Sequence, residues 1–153
     1  MMTVSADDRF GVHDLFMAYV QAADTGDLEG YVATFLPDAL LVDSDGRIHR
    51  GAAAIRDYAH AFFSQPNGRG RIHFFQQMTV KPEGAGLRVF SFWTVVQASA
   101  SPRETRVRSL GTCDDLCLKV DGAWRFAERR IGRWNDETAP WLFNPSAQAA
   151  RPS

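Results

Sequence analysis

Apolar side chains return every three or four positions through the first part of this chain, then settle into strand-like runs. Val12, Phe16 and Val20, joined by Leu15, Tyr19 and Ala22, predict one amphipathic helix from about Asp7 to Ala23. Ser5-Ala6-Asp7-Asp8 starts it, with acids at the positive end of the helix dipole. Asp24-Thr25-Gly26-Asp27 breaks it, and Asp27 is placed to cap a shorter second helix carrying Leu28, Tyr31, Val32 and Phe35, stopped by Pro37. Two helices therefore meet at Asp24.

Ala39 to Asp43, the Asp45-Gly46 turn and Arg47-Ile48-His49 read as a small hairpin. After Gly51, the stripe Ile55, Tyr58, Ala59 and Phe62 predicts a third helix, Ala52 to Phe63, ended by the turn-rich segment from Ser64 to Gly70. Arg71 to Val80, Leu87 to Ser99, Thr105 to Val120 and Ala123 to Trp134 are strand-length runs with short connections, the pattern of an antiparallel meander. The predicted fold class is α+β. Long strands twist, and three N-terminal helices packed against a curved, mainly antiparallel sheet give a cone-shaped barrel enclosing a pocket. Pro140-Trp141-Leu142-Phe143-Asn144-Pro145 is too apolar to float in water and too proline-broken for a helix, so this tail is expected to cover part of the surface.

The 153 residues are expected to form a single domain, with a core from about 8 to 134 and a tail from 135 to 153. A formal charge of -1 gives no basic surface for a phosphate backbone, so no nucleic-acid partner is expected. No run approaches the length of a membrane span and the N-terminus has no basic start, so no membrane is expected and a cytoplasmic location is. Cys113 and Cys117, four apart on a strand, lie roughly 13 Å from each other at about 3.3 Å per residue. They cannot bridge within that strand, and read as small buried apolar side chains.

The candidate chemistry is sparse. Nucleotide-binding, zinc-protease and nucleophile-elbow motifs are missing, and His13, His49 and His60 lack ligand spacing, so neither a metal nor a cofactor is expected. His73 alternates with Arg71 and Phe75 against Ile72, Phe74 and Gln76, and both sets are mixed, so the alternation leaves open which faces inward. On the strand from Thr105, one of the adjacent acids Asp114 and Asp115 must point inward, whichever face is buried. Arg129 shares a face with Ala127 and Ile131, and Phe126 falls on the other with Glu128 and Arg130. Phe74, Phe75, Phe92, Trp93 and Trp134 are sufficient to line an apolar pocket.

The phrases Ala23-Asp24-Thr25-Gly26-Asp27, Phe35-Leu36-Pro37-Asp38-Ala39, Gly51-Ala52-Ala53-Ala54-Ile55 and Asp121-Gly122-Ala123-Trp124-Arg125-Phe126, in this order and spacing, resemble the SnoaL-like branch of the nuclear transport factor 2-like superfamily. Within it the chain is similar to cofactor-independent lyases: scytalone dehydratase, hexachlorocyclohexane dehydrochlorinase and bile-acid dehydratase. The resemblance implies a catalytic pair of Asp24 and His73, a helix-one tyrosine at Tyr19 and an arginine at Arg129. It also carries the acid of a G-x-Y-x-D segment to Asp115, where Cys113 replaces the tyrosine. The expected activity is dehydration or dehydrohalogenation of a hydrophobic cyclic small molecule by His/Asp general acid-base chemistry, in a homo-oligomer, trimer or dimer. Double-bond isomerisation, epoxide hydrolysis and a non-catalytic ligand-binding or scaffold role, as in dioxygenase small subunits, are the alternatives.

Overall fold

Ser5 opens the first helix, its Oγ accepting the Asp8 N–H at 3.1 Å. Helix α1 (Ala6–Thr25) then buries Val12, Leu15, Phe16, Tyr19, Ala22 and Ala23 along one face, and Gly26 at φ 74° ends it in the left-handed conformation that glycine tolerates best. Asp27 caps α2 (Leu28–Ala33) by accepting the Gly30 N–H at 2.9 Å. The computed structural model describes residues 3–66 and 68–140. Its remaining elements are β1 (Phe35–Val42), β2 (Ile48–Arg50), α3 (Gly51–Phe63), β3 (Arg71–Glu83), β4 (Gly86–Gln97), β5 (Arg106–Val120) and β6 (Ala123–Arg133).

The six strands form one curved, unclosed sheet in the order β2-β1-β6-β5-β4-β3. Every neighbouring pair is antiparallel except β1 with β6. The helices pack on one face, where α1 and β6 meet through Phe16 and Phe126, ring centroids 5.2 Å apart. Among the described residues no helix is long and apolar enough to cross a membrane. The apolar tail segment falls, beyond Pro140, outside the described residues.

Three local departures from the sequence expectation share a cause in strand irregularity. The second helix stops at Ala33, so Phe35 belongs to β1 rather than to the helix, and Pro37 lies inside that strand. Pro37 is tolerated because the β1–β6 pairing is interrupted between Phe35 and Leu40, where a missing N–H breaks no ladder bond. On β6, Cys117 faces Phe126 while Leu116 faces Glu128, leaving Ala127 as an extra residue. Phe126 and Arg129 are therefore both inside and fully buried, not on opposite faces. On β3, Gln76 faces Phe92 and Thr79 faces Phe90, and Gln77 adopts φ 53°. This bulge turns Arg71, His73 and Phe75 inward together with Met78 and Val80.

Candidate functional site

Strand β3 is a sheet edge, so alternate backbone N–H groups along it have no ladder partner. The last turn of α1 supplies one. Asp24 accepts the His73 backbone N–H with both carboxylate oxygens, at 3.2 and 3.0 Å, and holds the ring Nδ1 at 2.5 Å. A carboxylate only accepts, so Nδ1 carries the proton and the neutral ring keeps its lone pair on Nε2. Both side chains are largely buried, at 14% and 18% exposure.

His73 lines a cavity of about 320 Å³ between the helices and the inner sheet face. Tyr19, Tyr31, Tyr58, Phe62, Phe75, Trp93, Val95 and Ile131 supply its apolar walls. Trp93 is locked as a wall, its indole N–H donating to the Thr112 and Gly132 carbonyls at 3.1 Å each. Of the other aromatics named from sequence, Phe74 is exposed, and Phe92 packs on Trp134 at 5.5 Å, so none of these three lines the cavity. The outer face proved as aromatic as the inner one.

Tyr19 forms part of the wall, and its hydroxyl meets that of Tyr31 at 3.1 Å. Burial raises the pKa of Tyr19, Tyr31 and Tyr58, so all three are neutral phenols. Behind Tyr19 and Phe75 lies the Arg129 guanidinium, 4.1 and 4.9 Å from their ring centroids, with Phe126 at 4.5 Å and Phe16 at 5.1 Å. Its Nη1 donates to Asp115 Oδ2 at 2.9 Å, and neither side chain is exposed to solvent or lines the cavity. Burial pushes the Asp115 carboxyl up to about 7, with the Arg129 charge pulling the other way. Of the five residues named from sequence, His73 and Asp24 thus form one unit, Arg129 and Asp115 a second, and Tyr19 stands between Arg129 and the cavity.

Cys113 and Cys117 are free and buried, and burial raises both thiols well above their ordinary range. They are inert thiols.

A second histidine–aspartate contact escaped the sequence reading. His49 Nε2 lies 2.9 Å from Asp43 Oδ2, and Asp43, which lines the cavity, also accepts the N–H groups of Asp45 and Arg47. Burial raises this carboxyl, but these bonds outweigh it and leave it below its ordinary range. The signal was present in the hairpin: His49 pairs with Leu41, two residues from Asp43, which makes the two side chains diagonal neighbours on one face.

The sequence matches the SnoaL-like domain over residues 4–130. The chain belongs to the SnoaL-like family. No curated protein sequence matches it significantly. Among solved structures, Aln2 from a Streptomyces species shares 24% identity at a TM-score of 0.77, covering 96% of this chain and 98% of that one. A Nostoc punctiforme protein of unknown function with a cystatin-like fold gives 23% identity and a TM-score of 0.76, with 87% and 96% covered. A Novosphingobium aromaticivorans protein provisionally named scytalone dehydratase gives 18% and 0.72, with 84% and 85% covered. These likenesses establish the fold of this SnoaL-like chain: helices on a curved, open sheet.

Proposed function

We propose that this SnoaL-like protein is a cofactor-independent lyase that eliminates water or halide from a hydrophobic cyclic small molecule. The observation that carries the reading is the contact of Asp24 with the His73 ring: Asp24 accepts the Nδ1–H hydrogen bond, which leaves the lone pair on Nε2 of a residue that lines an aromatic cavity. In the reaction, Nε2 removes a proton from carbon. The electron pair of that C–H bond becomes the new double bond, and the leaving group departs with the electrons of its own bond. Asp24 stabilises the imidazolium so formed. If hydroxide leaves, the imidazolium returns the proton to it and water is released. The neutral phenol of Tyr19 is a candidate hydrogen-bond donor to charge developing on oxygen. Arg129 and Asp115 act through Tyr19, as positioning residues, because Tyr19 separates the guanidinium from the cavity.

The test is incubation with cyclic β-hydroxy and β-halo ketones in deuterated water, with products followed by mass spectrometry. Loss of water or halide that disappears in His73→Ala supports the reading. Conversion of a cyclic β,γ-unsaturated ketone, included as a third substrate, to its conjugated isomer without elimination from the other two assigns an isomerase instead, and binding without any conversion assigns a non-catalytic carrier.

Self-association belongs to the same reading. Ile72, Phe74, Phe90 and Val107 are 40%, 48%, 39% and 57% exposed, an apolar surface suited to a second copy. Sedimentation equilibrium giving a dimer or trimer mass supports this; a monomer overturns it.

A further inference from the structure

His49 and Asp43 repeat the pairing of His73 and Asp24 with the roles exchanged. At the first pair the histidine lines the cavity and the carboxylate stands behind it, whereas at the second Asp43 lines the cavity and His49 does not. The second pair therefore presents an acceptor oxygen where the first presents a ring nitrogen.

Asp43 is 3% exposed, and an ionised carboxylate so far from solvent must be compensated. Oδ1 accepts the N–H groups of Asp45 and Arg47 at 2.9 and 3.0 Å, and Oδ2 lies 2.9 Å from His49 Nε2. A carboxylate only accepts, so this nitrogen carries the proton. Although burial raises the carboxyl, these bonds together keep it ionised, while Arg47 and Arg133 approach Asp45 at 3.8 and 3.6 Å. A carboxylate offers about four lone-pair sites, so the three bonds leave one more, on the oxygen that His49 holds.

The Tyr58 hydroxyl is the complementary group. Tyr58 lines the cavity, with its ring centroid 4.6 Å from that of His49. Burial, then the neighbouring Tyr19 and the charges of Asp43 and Asp45, raise its pKa, which makes it a neutral phenol close to the carboxylate. Among the described residues this hydroxyl has no hydrogen-bond partner, whereas those of Tyr19 and Tyr31 pair with each other. A free donor beside a carboxylate with an acceptor site to spare fits a hydroxyl, which donates and accepts at once.

Tyr58 and Phe62 follow one another by a single turn of α3, their rings inclined by only 14° with centroids 6.1 Å apart, and Phe62 lies 6.3 Å from the His73 ring. The two histidine–aspartate pairs thus stand at opposite ends of one aromatic row that walls the cavity. A planar ring system laid along that row has one edge towards Asp43 and the other towards His73.

We propose that Asp43 and Tyr58 form a recognition site for a ring hydroxyl, which donates to Asp43 Oδ2 and accepts from the Tyr58 hydroxyl. Both are then specificity-determining residues, and the ligand is a cyclic alcohol or phenol. This deepens the lyase reading by naming a substrate class, and it rests on that reading for the reaction at His73, yet hydroxyl binding does not depend on the dyad reacting.

Isothermal titration calorimetry with 2-naphthol and its methyl ether separates the two. The ether keeps the acceptor oxygen and loses the donor, so the ratio of affinities reports the bond to Asp43. Naphthol is expected to bind at least about tenfold tighter to the unaltered protein, the scale of one hydrogen bond to a charged group, and His73→Ala keeps that ratio. Asp43→Asn is expected to abolish it. Tyr58→Phe removes a hydroxyl that bonds no described residue, and is expected to weaken both probes by about two- to tenfold. Equal affinities or no naphthol binding in the unaltered protein, a ratio that survives Asp43→Asn, or unchanged affinities in Tyr58→Phe overturns the proposal. If Asp43→Asn does not fold, the unaltered protein and Tyr58→Phe decide. Naphthol preference without elimination from the ketones leaves the hydroxyl site standing and removes the lyase, and elimination with equal affinities does the reverse.

Discussion

Two of the inward-facing pairs of an acid and a basic group are built in opposite ways. His73 and Asp24 join an edge strand to a helix end, and His73 lines the cavity. Arg129 and Asp115 sit on neighbouring central strands, fully buried, with the guanidinium against four aromatic rings. A base must reach a ligand to act, whereas a buried charge must be paired and surrounded to be tolerated. On the proposed reading, accessibility rather than residue type separates the two pairs' roles.

Substitution of the two pairs should therefore fail in different assays. His73→Ala is expected to reduce turnover by about 10² to 10⁴ with little change in the urea midpoint, since a positioned general base contributes on that scale. Comparable turnover in the variant would remove the distinction. Asp115→Ala, examined at pH 8, is expected to lose about 3–5 kcal/mol of stability by urea unfolding, because it leaves the Arg129 charge buried without its partner.

Acidity offers a subtler contrast. The Asp115 carboxyl sits near 7 in the folded protein, above its ordinary 3.8, so the folded state retains a proton that the unfolded chain has released between those values. Its contribution to stability is therefore present in acid and lost as pH rises from about 4 to about 7. Urea titrations across this window should show that decline in the parent and a flatter profile in Asp115→Asn; parallel profiles would contradict the assignment. The smallest effect is expected at the junction of the two regions. Tyr19→Phe leaves the buried Tyr31 hydroxyl without its partner, at a cost of about 1 kcal/mol, and should lower turnover by less than His73→Ala does.

Much of this architecture was legible in the chain. Helical spacing located all three helices, and the turn at Asp121-Gly122 separated strands whose observed limits lie close to those expected, whereas β1 begins at Phe35 rather than Ala39. The errors cluster where a regular period was extended through an irregular strand. Pro37 read as a helix stop because the broken β1–β6 pairing that accommodates it lies between residues far apart in sequence. Phe126 was assigned to the wrong face because Ala127 adds a residue to β6. The face of His73 could not be read because Ile72, Phe74 and Phe90 make the outer surface as apolar as the inner. Likewise Arg129 and Asp115 were recognisable as special, but their mutual pairing depends on a cross-strand register, Asp115 opposite Arg129, that only the folded sheet reveals.

The extra residue at Gln77 has an implication for how this scaffold tolerates change. A strand is a parity device: each inserted or deleted residue exchanges odd for even. Excising Gln77 while Met78 and Val80 stay seated in the core would rotate Arg71, His73 and Phe75 out to water and swing Ile72 and Phe74 into the hollow. One codon in the middle of β3 thus decides on which side of the sheet Arg71 and His73 stand.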